Sequence, residues 1–136
     1  MRTVSLGVVV IATAIVGISA GCDNPLSSSD QSVELGVTKI DAPATVAPGT
    51  AIAVVLTVTV GGCTSFDHID VNRDVSSANM TVWGRDAAKG RKGVACPTDI
   101  REDPHSYQFN PPFANSFTIL VNRGRLSPLQ ATVAVQ

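Results

Sequence analysis

The chain has 136 residues, of which 44% are apolar, a length and composition that suit a single domain with a core. Ten Lys and Arg residues against eleven Asp and Glu leave a formal charge of −1, which gives no support for a nucleic-acid-binding or polybasic membrane protein. The apolar content also excludes disorder over the whole chain.

An apolar segment opens the chain. After Met1-Arg2, residues 4–20 are almost all Val, Ile, Leu, Ala and Gly, and Ala20-Gly21-Cys22 follows. The run is slightly shorter than the roughly 20 residues of a transmembrane helix, and its small terminal residues are typical of a cleaved signal peptide. The segment resembles a bacterial lipoprotein signal, which implies cleavage before Cys22 and a diacylglycerol lipid on its thiol. The alternatives are an ordinary secretory signal and an uncleaved anchor.

This resemblance divides the chain into three parts. Residues 1–21 are the signal peptide, residues 22–32 the lipidated N-terminus with a polar flexible tether, and residues 33–136 a folded domain. The expected location is the cell membrane, with the protein held by its lipid and facing the periplasm or the exterior.

Two cysteines remain once Cys22 carries the lipid. Disulfides persist in exported proteins, so we expect Cys63 and Cys96 to be joined. A metal or redox role is the alternative, but the sequence has no Cys-x-x-Cys pair and no tight Cys/His cluster.

The mature chain reads as β-strands separated by turns. Val33, Leu35 and Val37 alternate with polar residues, and Pro48-Gly49 suits the centre of a type II turn. The strongest strand is Thr50 to Val60, which is rich in Val and Thr and places Ile52 to Val60 alternately on one face. Shorter strands are predicted at 66–73, 79–85, 94–96, 106–109, 116–122 and 129–135, with loops at 86–93 and 97–104, and a hairpin turn at 123–125.

The opening of the domain resembles bacterial immunoglobulin-like surface modules. The resemblance rests on Pro43, Val46 and Pro48-Gly49 followed by the long strand, and it covers about residues 33–60. It implies an all-β fold, an antiparallel immunoglobulin-like sandwich of about seven strands. A small open barrel is the alternative.

Metal motifs are incomplete. Asp70, Asn72 and Asp74 have the spacing that begins a calcium loop, but Val75 stands where the loop needs Gly. In a strand these residues would form one solvated face. His68, Cys96 and His105 lack the close Cys-His spacing and following Met of a blue-copper site. We therefore expect no metal and no other cofactor.

Catalytic motifs are also missing from the sequence. There is no Gly-x-Ser-x-Gly nucleophile elbow, and His68 and His105 are both expected to face solvent. Trp83 is interpreted as a packing residue, or alternatively as a recognition aromatic at a loop end. The sequence is therefore interpreted as non-enzymatic.

The local positive cluster consists of Arg85, Lys89, Arg91 and Lys92. It is either a solvated loop or a weak contact for an anionic partner, such as lipid headgroups or an acidic envelope polymer. The predicted function is an envelope lipoprotein that displays a β-module for binding, adhesion or assembly, with partners at the membrane or in the envelope and no nucleic acid. The alternative is an inhibitor of an envelope enzyme, or an enzyme acting on an envelope substrate.

Overall fold

The structure, a computed structural model, describes residues 31–136. This part is all β, and none of its residues lies in a helix, so it holds no helix that could cross a membrane. The predicted signal peptide and Cys22 lie outside the described residues. The strands are β1 (Gln31–Glu34), β2 (Val37–Asp41), β3 (Thr45–Val46), β4 (Ile52–Gly61), β5 (Thr64–Arg73), β6 (Ser77–Asp86), β7 (Ile100–Phe109), β8 (Ser116–Arg123) and β9 (Leu126–Val135).

Hydrogen bonds join these nine strands into one mixed sheet. The order is β2-β4-β5-β6-β8-β9-β3, with β7 paired to β4 and β1 paired to β6. Two pairings, β3 with β9 and β6 with β8, are parallel. The expectation of about seven strands in a purely antiparallel arrangement is therefore corrected in this part of the chain. Both parallel pairs join segments far apart in sequence, which local periodicity does not reveal.

The sheet is curled into a half-barrel, with β2, β4 and β7 in one half and β1, β5, β6, β8, β9 and β3 in the other. The pair Gly61 and Thr64 joins the two halves. Strands β4 and β5 share only the pair Gly61 and Thr64, whereas β4 pairs with β7 along ten residues. Gly61 has φ of 135°, and a Cβ there would run into the carbonyl oxygen of Asp99. Glycine is therefore required at the point where the two halves separate.

The core lies between the facing halves of the curled sheet. Alternate residues of β4 are buried, as predicted, because a strand turns successive side chains to opposite faces. Phe117 of β8 is fully buried and packs edge-to-face on Phe109 and Phe113. No polar or charged residue in the range 31–136 is fully buried. The fully buried side chains are Val37, Ile52, Val54, Leu56, Val58, Met80, Val82, Phe109, Phe117, Ile119, Val121 and Val133.

The first predicted strand is divided between the two halves. The N–H of Leu35 donates to the carbonyl of Val82 on β6, and the N–H of Thr59 on β4 donates to the carbonyl of Gly36. The chain therefore crosses from the β6 half to the β4 half at Leu35-Gly36. The last two residues of the predicted tether, Gln31 and Ser32, belong to β1.

Two local predictions differ from the structure. Residues 94–96, predicted as a strand, lie in a loop, and Pro104, predicted in a loop, lies within β7. Proline has no N–H to donate, but it is tolerated in an edge strand, and β7 is paired only with β4.

The predicted type II turn is confirmed, because the N–H of Thr50 donates to the carbonyl of Ala47 and Gly49 has φ of 78°.

Candidate functional site

The disulfide between Cys63 and Cys96 is confirmed. Their Cα atoms are 5.1 Å apart, within the roughly 4.4–6.8 Å that a bridge allows. The N–H of Ala87 also donates to the carbonyl of Cys63 at 3.0 Å, and the N–H of Gly62 donates to the carbonyl of Asp99 at 2.9 Å. Both ends of residues 87–99 are thus attached to the turn between β4 and β5. We call these thirteen residues the basic loop.

The basic loop begins with a tight turn. The carboxylate of Asp86 accepts hydrogen bonds from the N–H groups of Ala88 and Lys89, at 2.8 and 3.1 Å. The N–H of Arg91 then donates to the carbonyl of Ala88 at 2.9 Å. Lys89, Arg91 and Lys92 are all exposed. Three of the four predicted anion-contact residues therefore project from one short, anchored segment.

The first described residues lie against the basic loop. Gln31, at the start of β1, is paired in register with Asp86, at the end of β6. The ammonium of Lys89 donates to the carbonyl of Ser32 at 3.4 Å. We call this end of the domain, with Gln31, the Cys63–Cys96 bridge and the basic loop, the entry end.

Arg85 is separated from the other predicted anion-contact residues. Its guanidinium donates to the carboxylate of Asp67 at 2.9 Å, and His68 contacts the same carboxylate at 2.9 Å. These hydrogen bonds, that from Arg85 first, hold the pKa of Asp67 below its ordinary value of 3.8. Because Asp67 stays ionised, it offsets the charge of Arg85, which lies on β6 rather than in the basic loop.

A polar groove lies on the outer face of the sheet. On β6, Asn79, Thr81 and Trp83 alternate with the buried Ala78, Met80 and Val82, so the first three share the face away from the core. The register places Asp70 of β5 beside Thr81, and Asn72 beside Asn79. Asn122 of β8 closes the groove by donating its amide N–H to the hydroxyl of Thr81 at 2.8 Å. The groove has a volume of about 370 Å³ and is lined by Asp70, Val71, Asn72, Asn79, Thr81 and Asn122.

The residues of the incomplete calcium motif do not form a loop. Asp70 and Asn72 lie on the outer, exposed face of β5. This agrees with the alternative explanation of their spacing, in which they form one solvated face of a strand. Asp74 follows β5, and its carboxylate accepts hydrogen bonds from Ser76 and Ser77. These bonds, with that of the Ser76 hydroxyl first, lower the pKa of Asp74 from 3.8 to about 2. Asp74 therefore holds the turn between β5 and β6.

The three candidate copper ligands have other partners. Cys96 is in the disulfide, and His68 is exposed beside Asp67. The prediction that His105 lies in a polar loop and faces solvent is wrong. His105 lies in β7, and its ring stacks on Phe66 with the ring centroids 3.7 Å apart. Within residues 31–136, no three His, Cys, Asp or Glu side chains are grouped so that they could hold a metal ion.

Comparison of the chain with protein-family models, curated proteins and solved structures finds no match. Sequence reasoning missed the polar groove, although a signal was present. The alternation of Ala78, Met80 and Val82 with Asn79, Thr81 and Trp83 already places the groove residues Asn79 and Thr81 on the face opposite the apolar one.

Proposed function

We propose that the chain is a cell-envelope lipoprotein, attached to a membrane by a lipid on Cys22, that displays a non-enzymatic β-module for binding, adhesion or envelope assembly. In the described residues, the module is one mixed sheet of nine strands, and we propose that it is related to the immunoglobulin-like modules which the opening of the domain resembles. The short apolar segment that ends in Ala20-Gly21-Cys22 supports the lipid attachment.

The observation that carries the proposal is the position of the basic loop at the entry end. Eight residues separate Cys22 from Gln31, and nine Cα–Cα steps span at most about 30 Å. A lipid on Cys22 would thus keep the entry end within that distance of the bilayer. Because Gln31 and Asp86 are paired, Lys89 and its neighbours would be on the side of the domain nearest the headgroups.

Charge and covalent structure support the same orientation. Each Lys or Arg near an anionic membrane contributes about 1 kcal/mol of attraction, which salt screens. Lys89, Arg91 and Lys92 would add this weak contact to the lipid, whose acyl chains provide the main attachment. The Cys63–Cys96 bridge closes the far end of the loop, and disulfides of this kind persist in the oxidising compartments outside the cytoplasm.

The test compares the full chain with its Cys22→Ser variant in a bacterial host. The wild type is expected in the membrane fraction and in the detergent phase of a detergent–water partition, whereas Cys22→Ser should leave both. A Cys63→Ser, Cys96→Ser variant is the matched control, because it replaces the two disulfide-bonded cysteines without changing the lipid attachment site and should stay in the membrane fraction. Equal partitioning of wild type and Cys22→Ser would contradict lipid attachment.

A further inference from the structure

The polar groove on the outer face is lined by amide, hydroxyl and carboxylate groups, and Trp83, which is not one of its lining residues, lies beyond Thr81 on the same face of the sheet. Trp83 is half-buried and follows Thr81 on the same face of β6, about 6.6 Å further along the strand. That spacing is on the order of one sugar ring. An indole face and a row of polar side chains are therefore aligned along one strand.

Much of the hydrogen-bonding capacity of this face is unused by the protein. Within residues 31–136, the side-chain amides of Asn72 and Asn79 and the indole N–H of Trp83 have no hydrogen-bond partner. Asn122 uses its amide N–H on Thr81 and leaves its carbonyl oxygen available. The face therefore offers both donors and acceptors at fixed positions on paired strands.

The charges around Trp83 are largely compensated within the protein. Arg85 and His68 both contact Asp67, and the second nitrogen of His68 lies 3.5 Å from the carboxylate of Asp70. Among the described residues, the cation Arg85 is thus paired with Asp67, and the carboxylate of Asp70 would repel an anionic ligand. The Asp70 carboxylate instead suits hydroxyl groups, because an ionised carboxylate accepts several hydrogen bonds.

We infer that the groove and the adjoining Trp83 together bind a neutral saccharide chain, with one sugar ring packed on the indole and the hydroxyls of the next rings bonded in the groove to Asp70, Asn72, Asn79 and Asn122. The apolar C–H face of a sugar ring suits an aromatic surface, and its hydroxyls match a set of amides and one carboxylate. This inference rests on the proposed binding role and names a ligand class for it.

Trp83 is the only tryptophan of the chain, so its fluorescence reports directly on this face. The full chain is purified as a bacterial host processes it and titrated with soluble neutral hexasaccharides of glucose (β-1,4 and α-1,4), mannose and N-acetylglucosamine. At least one is expected to change the Trp83 emission in a saturable way and to be confirmed by calorimetry. Absence of binding to every member of the panel would overturn the inference.

Variants locate the bound sugar. Loss of two amide contacts in Asn72→Ala, Asn79→Ala should weaken binding about tenfold. Calorimetry should show that Trp83→Phe binds the saccharide more weakly than the wild type does. Trp83→Ala should bind it more weakly than Trp83→Phe does. Gln108→Ala is the matched control, because it removes an exposed amide from β7 in the other half of the sheet. Circular dichroism checks that each variant is folded.

Two further outcomes keep the inference separate from the proposed function. Equal affinity in the Asn72→Ala, Asn79→Ala variant and in Gln108→Ala would overturn the groove as the site, whatever the attachment of Cys22. Conversely, saccharide binding by Cys22→Ser with unchanged affinity would support the groove even if the lipid attachment failed, because the two measurements use different parts of the chain.

Discussion

The ammonium of Lys89 donates a hydrogen bond to the carbonyl of Ser32 at 3.4 Å and so joins the basic loop to the first strand. Through this contact, the segment nearest the predicted lipid and the predicted anion-contact residues occupy one end of the domain. The entry end is thus defined by a side chain and a backbone group 57 positions apart in the chain. The orientation proposed for the protein on a membrane depends on this relationship.

Removing charge from the basic loop should weaken attraction to anionic membranes. For the unlipidated residues 23–136, the Lys89→Ala, Lys92→Ala variant is expected to bind anionic vesicles about 30-fold more weakly at low salt, from about 1 kcal/mol per lysine. Vesicle sedimentation measures this difference, which should diminish as salt is raised.

Two controls separate charge from structure in that experiment. Lys89→Arg, Lys92→Arg keeps the charge and should bind as the wild type does. Lys39→Ala removes an exposed lysine that is paired with Asp41 on β2, outside the entry end, and should have little effect. If the loop variant bound the vesicles as tightly as the Lys39→Ala variant, the membrane contact of the basic loop would be rejected.

The Cys63–Cys96 bridge should account for a large part of the stability of the domain. Its cysteines are 33 positions apart, and closing a loop of this size contributes about 3–4 kcal/mol in the chain-entropy model. Cys63→Ser, Cys96→Ser should lower the free energy of unfolding in urea by that amount. Reductant should produce the same loss in the wild type and none in the variant, and unchanged stability of the double variant would contradict the prediction.

Acid should weaken the turn that Asp74 holds. The pKa of Asp74 is lowered from 3.8 to about 2 by hydrogen bonds from Ser76 and Ser77, so between these values the unfolded chain binds more protons than the folded one. The contribution of Asp74 is therefore fully present above pH 3.8 and is lost as the pH falls towards 2.

A pH series of urea denaturation tests this sign. Asp74→Ala should have a lower free energy of unfolding than the wild type at pH 6, and the difference should shrink as the pH approaches 2. Asp41→Ala serves as the control, because Asp41 is an exposed aspartate paired with Lys39 and accepts no backbone N–H of a turn. A difference for Asp74→Ala that stays constant over this range would contradict the role of its carboxylate.

Strands with regular alternation could be predicted from the sequence, and those without it could not. Residues Ile52 to Val60 carry a large aliphatic side chain at every second position and form β4 almost as predicted. Strand β7 contains Arg101, Glu102, Asp103 and Pro104, which suit a strand only because β7 is paired on one side alone. The charged residues at the beginning of β7 gave this segment a sequence pattern typical of a loop.

Features that depend on contacts between residues distant in the sequence could not be predicted from local sequence patterns. Gln31 is paired with Asp86, and Thr81 is hydrogen-bonded to Asn122. In both cases the two residues are more than 40 positions apart in the sequence. The disulfide was predictable because the sequence has three cysteines, of which the predicted lipid attachment uses Cys22 and leaves Cys63 and Cys96. The groove required the additional knowledge that β5, β6 and β8 are neighbours, two of them in parallel.

The mass of the mature N-terminal peptide shows whether the protein is attached to the membrane by a lipid on Cys22. Protein expressed from the full chain in a bacterial host is digested, and its N-terminal peptide is analysed by mass spectrometry. We expect a peptide that begins at Cys22 and carries a diacylglyceryl group on its sulfur. A mature protein that begins elsewhere, or a Cys22 with a free thiol, would contradict it.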